Sequence, residues 1–189
     1  SQTGSTTYVG SGRVTGTVQD QFSLSENDGI IRVATTQDIW GRWWMNNENW
    51  TGPTNNVFTL EALECMIPEG CENTSTELQQ IGHIGNIAEG ESIWSARFIG
   101  DRAYLVTFQN IDPLWVIDLS VPSNPIILGE LEIPGVSTYI HPVNEDTLLT
   151  IGIGAGEGGL GLDWSVTQIS LFDVSDPTNP TLADTLPLS

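Results

Sequence analysis

One stretch of this chain is written twice, and that repetition limits what the chain can fold into. Leu114–Pro125 lines up with Ile169–Pro180, displaced by 55 positions, and the two share an aspartate, a serine, a proline, an asparagine and a second proline in register. Each copy reads as a short apolar strand, a proline-terminated turn and then another strand, Ile126–Ile133 or Thr181–Leu188. Units that recur along a chain stack beside one another and bury their apolar faces between neighbours.

The similarity extends upstream. Gly100–Thr107 aligns with Asn144–Ile151, each a polar turn followed by a strand, and each is preceded by a further strand, Ile93–Ile99 or Thr138–Pro142. Each unit is therefore a meander of four strands, the pattern of one β-propeller blade. A more divergent unit comes first: Gln21–Ser25, a turn at Glu26–Gly29, then Ile30–Thr36, Val57–Leu63 and Leu78–Ile84. The expected fold class is all-β, with three four-stranded antiparallel meanders. A polar N-terminal segment or strand occupies 1–17, blade one 18–90, blade two 91–135 and blade three 136–189. The 20 glycines and 10 prolines recur at short intervals, as turn-separated strands require. No long segment has helical periodicity, and no run of about 18 apolar residues offers a membrane span. Ser1–Thr7 lacks the layout of a signal peptide, which suggests a mature or trimmed chain.

Propellers close at about four to eight blades, so three leave two flanks open. Either the remaining blades of a longer chain complete the ring or the chain associates, a homo-oligomeric pair giving six.

Charge narrows the partners. Against 24 acidic residues stand five arginines and no lysine, a net charge of -19. Such a surface repels nucleic acid and anionic membranes. It reads as a solvating coat for a salty habitat or as a means of holding divalent cations. No cofactor is required, and calcium is the ion that carboxylates would suit. No D-x-[DN]-x-[DN]-G loop is present, and Glu26–Gly29 reads better as a hairpin turn.

Cys65 and Cys71 do not have metal or redox spacing. Glu64, Glu69 and Glu72 disfavour a thiolate, and Pro68 and Gly70 favour a turn. A local disulfide is expected, contributing about 2 kcal/mol and indicating an oxidising compartment; two unbonded cysteines are the alternative. Asn49-Trp50-Thr51 and Asn73-Thr74-Ser75 match the glycosylation acceptor pattern.

Two insertions depart from the repeat. Gln37–Asn56 carries Trp40, Trp43, Trp44 and Trp50, and the glycine-rich Gly152–Asp163 is followed by Trp164. Both fall between the second and third strands of their blades, so both should emerge on one rim, where loops carry function. The tryptophans suit stacking on carbohydrate or anchoring a protein partner, or else they cover an open flank. Catalytic sets are scarce. No G-x-S-x-G surrounds a serine, and two distant histidines with a disulfide do not make a zinc site. The G-x-G-x-x-G match at Gly154–Gly159 leads into a strand instead of a helix. His83 reads as structural. His141, before Pro142, is structural or a ligand, and Asp112, before Pro113, is an Asx turn or a hydrolytic carboxylate. The leading reading is a non-catalytic binding or assembly module. The rivals are a carboxylate-dependent hydrolase of polysaccharide or peptide, and a structural fragment that pairs through open sheet edges.

Several stretches together resemble a known group: Gln21–Leu24, Arg32–Thr36, Arg97–Phe108, Asp112–Leu114, Ile117–Ser120, Gly129–Leu131 and Ser137–Pro142. From about residue 12 onward the chain resembles the secreted C-terminal β-propeller domain family, a distant relation of WD40 repeats. The resemblance implies a propeller and export to the exterior or cell envelope. It implies no chemistry, and members of that family are usually much longer.

Overall fold

A computed structural model describes Tyr8 and residues 10–37, 52–62, 77–108, 112–156 and 161–188, with Asp112 described by its backbone alone. Trp40, Trp43, Trp44, Trp50, Cys65 and Cys71, and with them the tryptophan cluster and the expected disulfide, lie outside the described residues. Twelve strands among the described residues form three antiparallel sheets, each hydrogen-bonded in chain order. The first holds β1 (Leu24–Asn27), β2 (Ile30–Gln37), β3 (Thr54–Ala62) and β4 (Leu78–Ile87). The second holds β5 (Ser92–Ile99), β6 (Arg102–Phe108), β7 (Asp112–Asp118) and β8 (Ile126–Ile133). The third holds β9 (Val136–Asn144), β10 (Thr147–Ala155), β11 (Leu162–Asp173) and β12 (Thr181–Leu188). No ladder among the described residues joins one sheet to another.

Alternation along the strands builds the core. Ala103 and Leu105 of β6 face the first sheet and pack with Ala34, Val57, Ile87 and Ile117. Tyr104 and Val106 face the third sheet and pack with Leu114, Val116, Ile140, Leu148 and Phe172. The middle sheet is thus buried on both faces, and each buried Val, Leu, Ile or Phe side chain among these contributes roughly 1.5–3 kcal/mol. The sheets also touch through backbone. The β7–β8 turn sets Pro122 O against Gly82 of β4, where an ideal Cβ would lie 2.0 Å from it. The β11–β12 turn sets Pro177 O against Gly129 of β8 in the same way, at 2.8 Å. Both glycines adjoin a bulge at one register position, opposite Thr59 and Val116; the third sheet places Asp184 there, opposite Leu171.

The far face of the first sheet is covered by a strap from the N-terminal segment. Leu78 N donates to Ser11 O at 2.9 Å, Thr35 Oγ1 to Thr15 O at 2.8 Å and Thr17 N to Thr36 O at 2.8 Å. Beneath it Val14 packs against Val33, Phe58 and Leu60.

Three expectations shift. The first strand begins at Leu24, not Gln21, because Asp20 Oδ1 accepts from Phe22 N and Ser23 N and winds Gln21–Ser23 into a 3₁₀ turn. The described part of the glycine-rich insertion is mostly ladder: Gly154 pairs with Asp163 and Ala155 with Leu162, past a bulge after Ile153. The repeat register also moves by one. Leu119 N donates to Asp101 O, and Val174 N donates to Asp146 O. Asp101 therefore answers to Asp146, not Glu145, and a one-residue slip exchanges the faces of a strand.

Candidate binding site

Where the first strands of the three sheets come side by side, four side chains meet. Arg97 on β5 places its guanidinium carbon 4.3 Å from the ring centre of Phe22 and 5.6 Å from that of Tyr139 on β9. Phe22 and Tyr139 meet edge to face at 5.5 Å. Tyr139 and His141 stack at 6.3 Å, with Tyr139 Oη 3.4 Å from His141 Nδ1. Phe22 arrives through the Asp20-capped turn that precedes β1. Arg97, Phe22 and Tyr139 are half-buried and His141 is exposed, so the cluster is held by rings and open on one side.

A second aromatic group lies at the end of the stack where second strands lead to third. Trp94, the bulge residue of β5, meets Phe108 edge to face at 5.3 Å and Trp164 at 6.2 Å. Trp164 is 72% exposed. Asp112 opens β7 at the same end, its backbone paired with Ile133. Of the residues singled out by sequence, His141 falls in the first group and Trp164 in the second. His83 sits in β4 with its ring stacked on Phe58 at 4.5 Å and Nε2 3.0 Å from Asn56 Oδ1.

Arg32 is a different kind of arginine. It is 5% exposed, donates to Gly100 O and to Ser25 Oγ, and lies 5.2 Å over the Phe98 ring. Burial pulls its pKa below the ordinary value, while Asp101 and Glu26 raise it. It clamps the first sheet to the β5–β6 turn. Among the described residues no three of His, Cys, Asp or Glu gather as a metal site would need. Sequence reasoning passed over Arg97, Phe22 and Tyr139. The available signal was an arginine inside the apolar run of β5, in a chain with no lysine and few arginines.

Among the described residues nothing covers the outer face of the third sheet. Leu149, Ile151, Ile169 and Leu171 stand where the second sheet has Tyr104, Val106, Leu114 and Val116. The second-sheet residues are at most 1% exposed. On the third sheet Ile151 is 39% exposed and Leu149, Ile169 and Leu171 are half-buried, and across β11 from Ile151, Leu186 and Leu188 of β12 are 55% and 44% exposed.

Comparison with known proteins agrees with this architecture. A family model described as Beta propeller domain matches residues 1–188. An uncharacterized protein of Methanocaldococcus jannaschii is 39% identical over 176 residues, covering 93% of this chain and 24% of the relative. An uncharacterized protein of Archaeoglobus fulgidus is 37% identical over 171 residues, covering 90% of this chain and 22% of the relative. The chain thus spans about a quarter of the length of the curated relatives it matches. With three stacked meanders and a family match running nearly its whole length, the chain belongs to the β-propeller domain family.

Proposed function

We propose that the chain is a non-catalytic binding and assembly module on a propeller scaffold, presented outside the cytoplasm, whose bare flank receives a further four-stranded sheet. The observation that carries this reading is residue-for-residue equivalence: the apolar positions that the second sheet buries completely under the third are left partly exposed on the third, Ile151 most of all and Leu149, Ile169 and Leu171 half-buried. Continued stacking is also in keeping with relatives about four times as long. Export is supported by the resemblance noted above and by the disulfide expected between Cys65 and Cys71. Protein or carbohydrate ligands are the partners that suit exposed tryptophan beside connections leaving one rim.

An apolar-patch dye tests the flank. The purified chain should bind an anilinonaphthalene sulfonate dye, and the double change Ile151→Asp and Leu186→Asp should remove that binding while the melting temperature holds. Dye binding that persists in the double variant, or is absent from the parent, would sink the assembly reading.

A further inference from the structure

The arginines of this chain do not all serve the same purpose. Arg32 gives donors to Gly100 O and Ser25 Oγ, and Arg102 Nη1 reaches Val174 O at 3.4 Å. Both bind one sheet to a neighbouring element. Arg97 differs. Among the described residues its contacts are the Phe22 and Tyr139 rings and one long hydrogen bond, 3.4 Å, to Tyr139 Oη, with no carboxylate in ion-pair reach. A guanidinium has five N–H donors in a planar fork. Ring faces hold that plane by cation–π attraction and stacking, and they consume none of the donors. The Asp20 carboxylate, two positions before Phe22, accepts from Phe22 N, Ser23 N and Ser23 Oγ.

The neighbours of Arg97 extend the same character. Tyr139 Oη is a donor as well as an acceptor, and His141 brings a second polar ring within 3.4 Å of it. Arg97 comes from the first strand of the second sheet and Tyr139 and His141 from that of the third, with Phe22 from the turn before the first sheet packing edge-on, so their positions are set by stacking of the whole molecule. A cation fixed in orientation, with unspent parallel donors and an open side, has the geometry that recognises planar or tetrahedral oxygen anions in a bidentate way.

We infer that the Arg97–Tyr139–His141 cluster binds an oxyanion of carboxylate or phosphate type, with the Arg97 fork as the main contact. The net charge of -19 does not forbid this. The long-range field is screened over about 8–10 Å at ordinary ionic strength, whereas the fork acts at hydrogen-bond distance. The acidic surroundings repel chloride as well as a singly charged oxyanion, and only the oxyanion offers two oxygens that match the guanidinium fork.

The test is a side-chain NMR titration of the whole 189-residue chain, with inorganic phosphate in one arm, acetate in the other and sodium chloride at matched ionic strength as baseline. The Arg97 Nε–Hε signal should move saturably with at least one oxyanion and not with chloride. Saturation by phosphate alone assigns a phosphate ligand, and saturation by acetate alone assigns a carboxylate. Arg97→Met keeps the stacked stem and removes the donors, and it should weaken binding about tenfold or more, with Arg97→Lys between the two. A purely structural Arg97 would give no saturable response. The inference is overturned if neither oxyanion moves the Arg97 signal beyond the chloride baseline, or if folded Arg97→Met binds as tightly as the parent. Should Arg97→Met fail to fold, the titration of the parent chain decides alone.

Discussion

Asp163, Asp173 and Asp176 each accept from a hydroxyl residue two positions downstream. Ser165, Ser175 and Thr178 hold the three carboxyls below their ordinary value, first through side-chain hydrogen bonds and then through backbone N–H groups. The backbone bonds measure 2.9, 2.9 and 3.0 Å. A native pKa below the unfolded one means that the native state binds fewer protons between the two values. The stabilisation is therefore present above the ordinary aspartate range and disappears as pH falls through the native values. Acid also relieves repulsion within a chain of net charge -19, so overall stability is the wrong readout. In a carbon-detected carboxylate titration, Ser175→Ala should raise the Asp173 midpoint and leave that of Asp163 in place. An Asp173 midpoint unmoved by the change would show that Ser175 is not the cause. The prolyl turn that follows Asp173 was legible from the repeat, whereas the Asp163–Ser165 bond, which lies within β11, was not. The Arg97 cluster was not, since residues 22, 97 and 139 meet only through stacking of the sheets, which no local pattern encodes.

At the level of strands and turns, the outer strand of each of the first two sheets offers a glycine to the prolyl turn of the next. Gly82 leaves no room for a side chain, since Pro122 O is backbone and Thr59 Oγ1 also donates to it at 2.6 Å. Gly82→Ala should therefore cost about 1–3 kcal/mol, as overpacking does, with the sheets forced apart at this turn. Asp184 occupies the same register position on an exposed strand. Asp184→Gly should cost only about 1 kcal/mol, the entropy of a glycine in a strand. Urea midpoints of the two variants check the contrast, and equal losses would remove the idea that the glycine is a seat. The repeat made the strand order and the prolyl turns readable, because both depend on short-range patterns. The exact register was hidden because Gly100–Asp101 and Glu145–Asp146 are turns of equal length but different composition, and aligning Gly100 with Asn144 slips the pairing by one. The strap was hidden for a different reason: Ser11–Thr17 has too few apolar residues to announce the face it covers, and backbone bonds at Leu78 and Thr36 fix it there.

For the molecule as a whole, two forces act on the bare flank in opposite directions. Leu149, Ile151, Ile169, Leu171, Leu186 and Leu188 favour burial, and the flank adjoins the Arg97 cluster through Tyr139 and His141 on β9. A sheet laid on this flank would place that cluster beside an enclosed inner channel, where a lower dielectric strengthens an arginine–oxyanion contact. Between two separate copies, however, the net charge of -19 on each chain opposes contact. The balance depends on screening, whose range is about 10 Å at 0.1 M salt and about 3 Å at 1 M. The strap closes the flank of the first sheet, so copies meeting through their bare flanks form a closed pair instead of a growing filament. Sedimentation should thus give a single chain at low salt and a pair, with no larger species, at high salt. Leu186→Asp should hold the chain single throughout. Ladders of larger species would mean that the strapped flank is also open, and a mass independent of salt and of Leu186 would mean that the apolar face contributes no net attraction between copies.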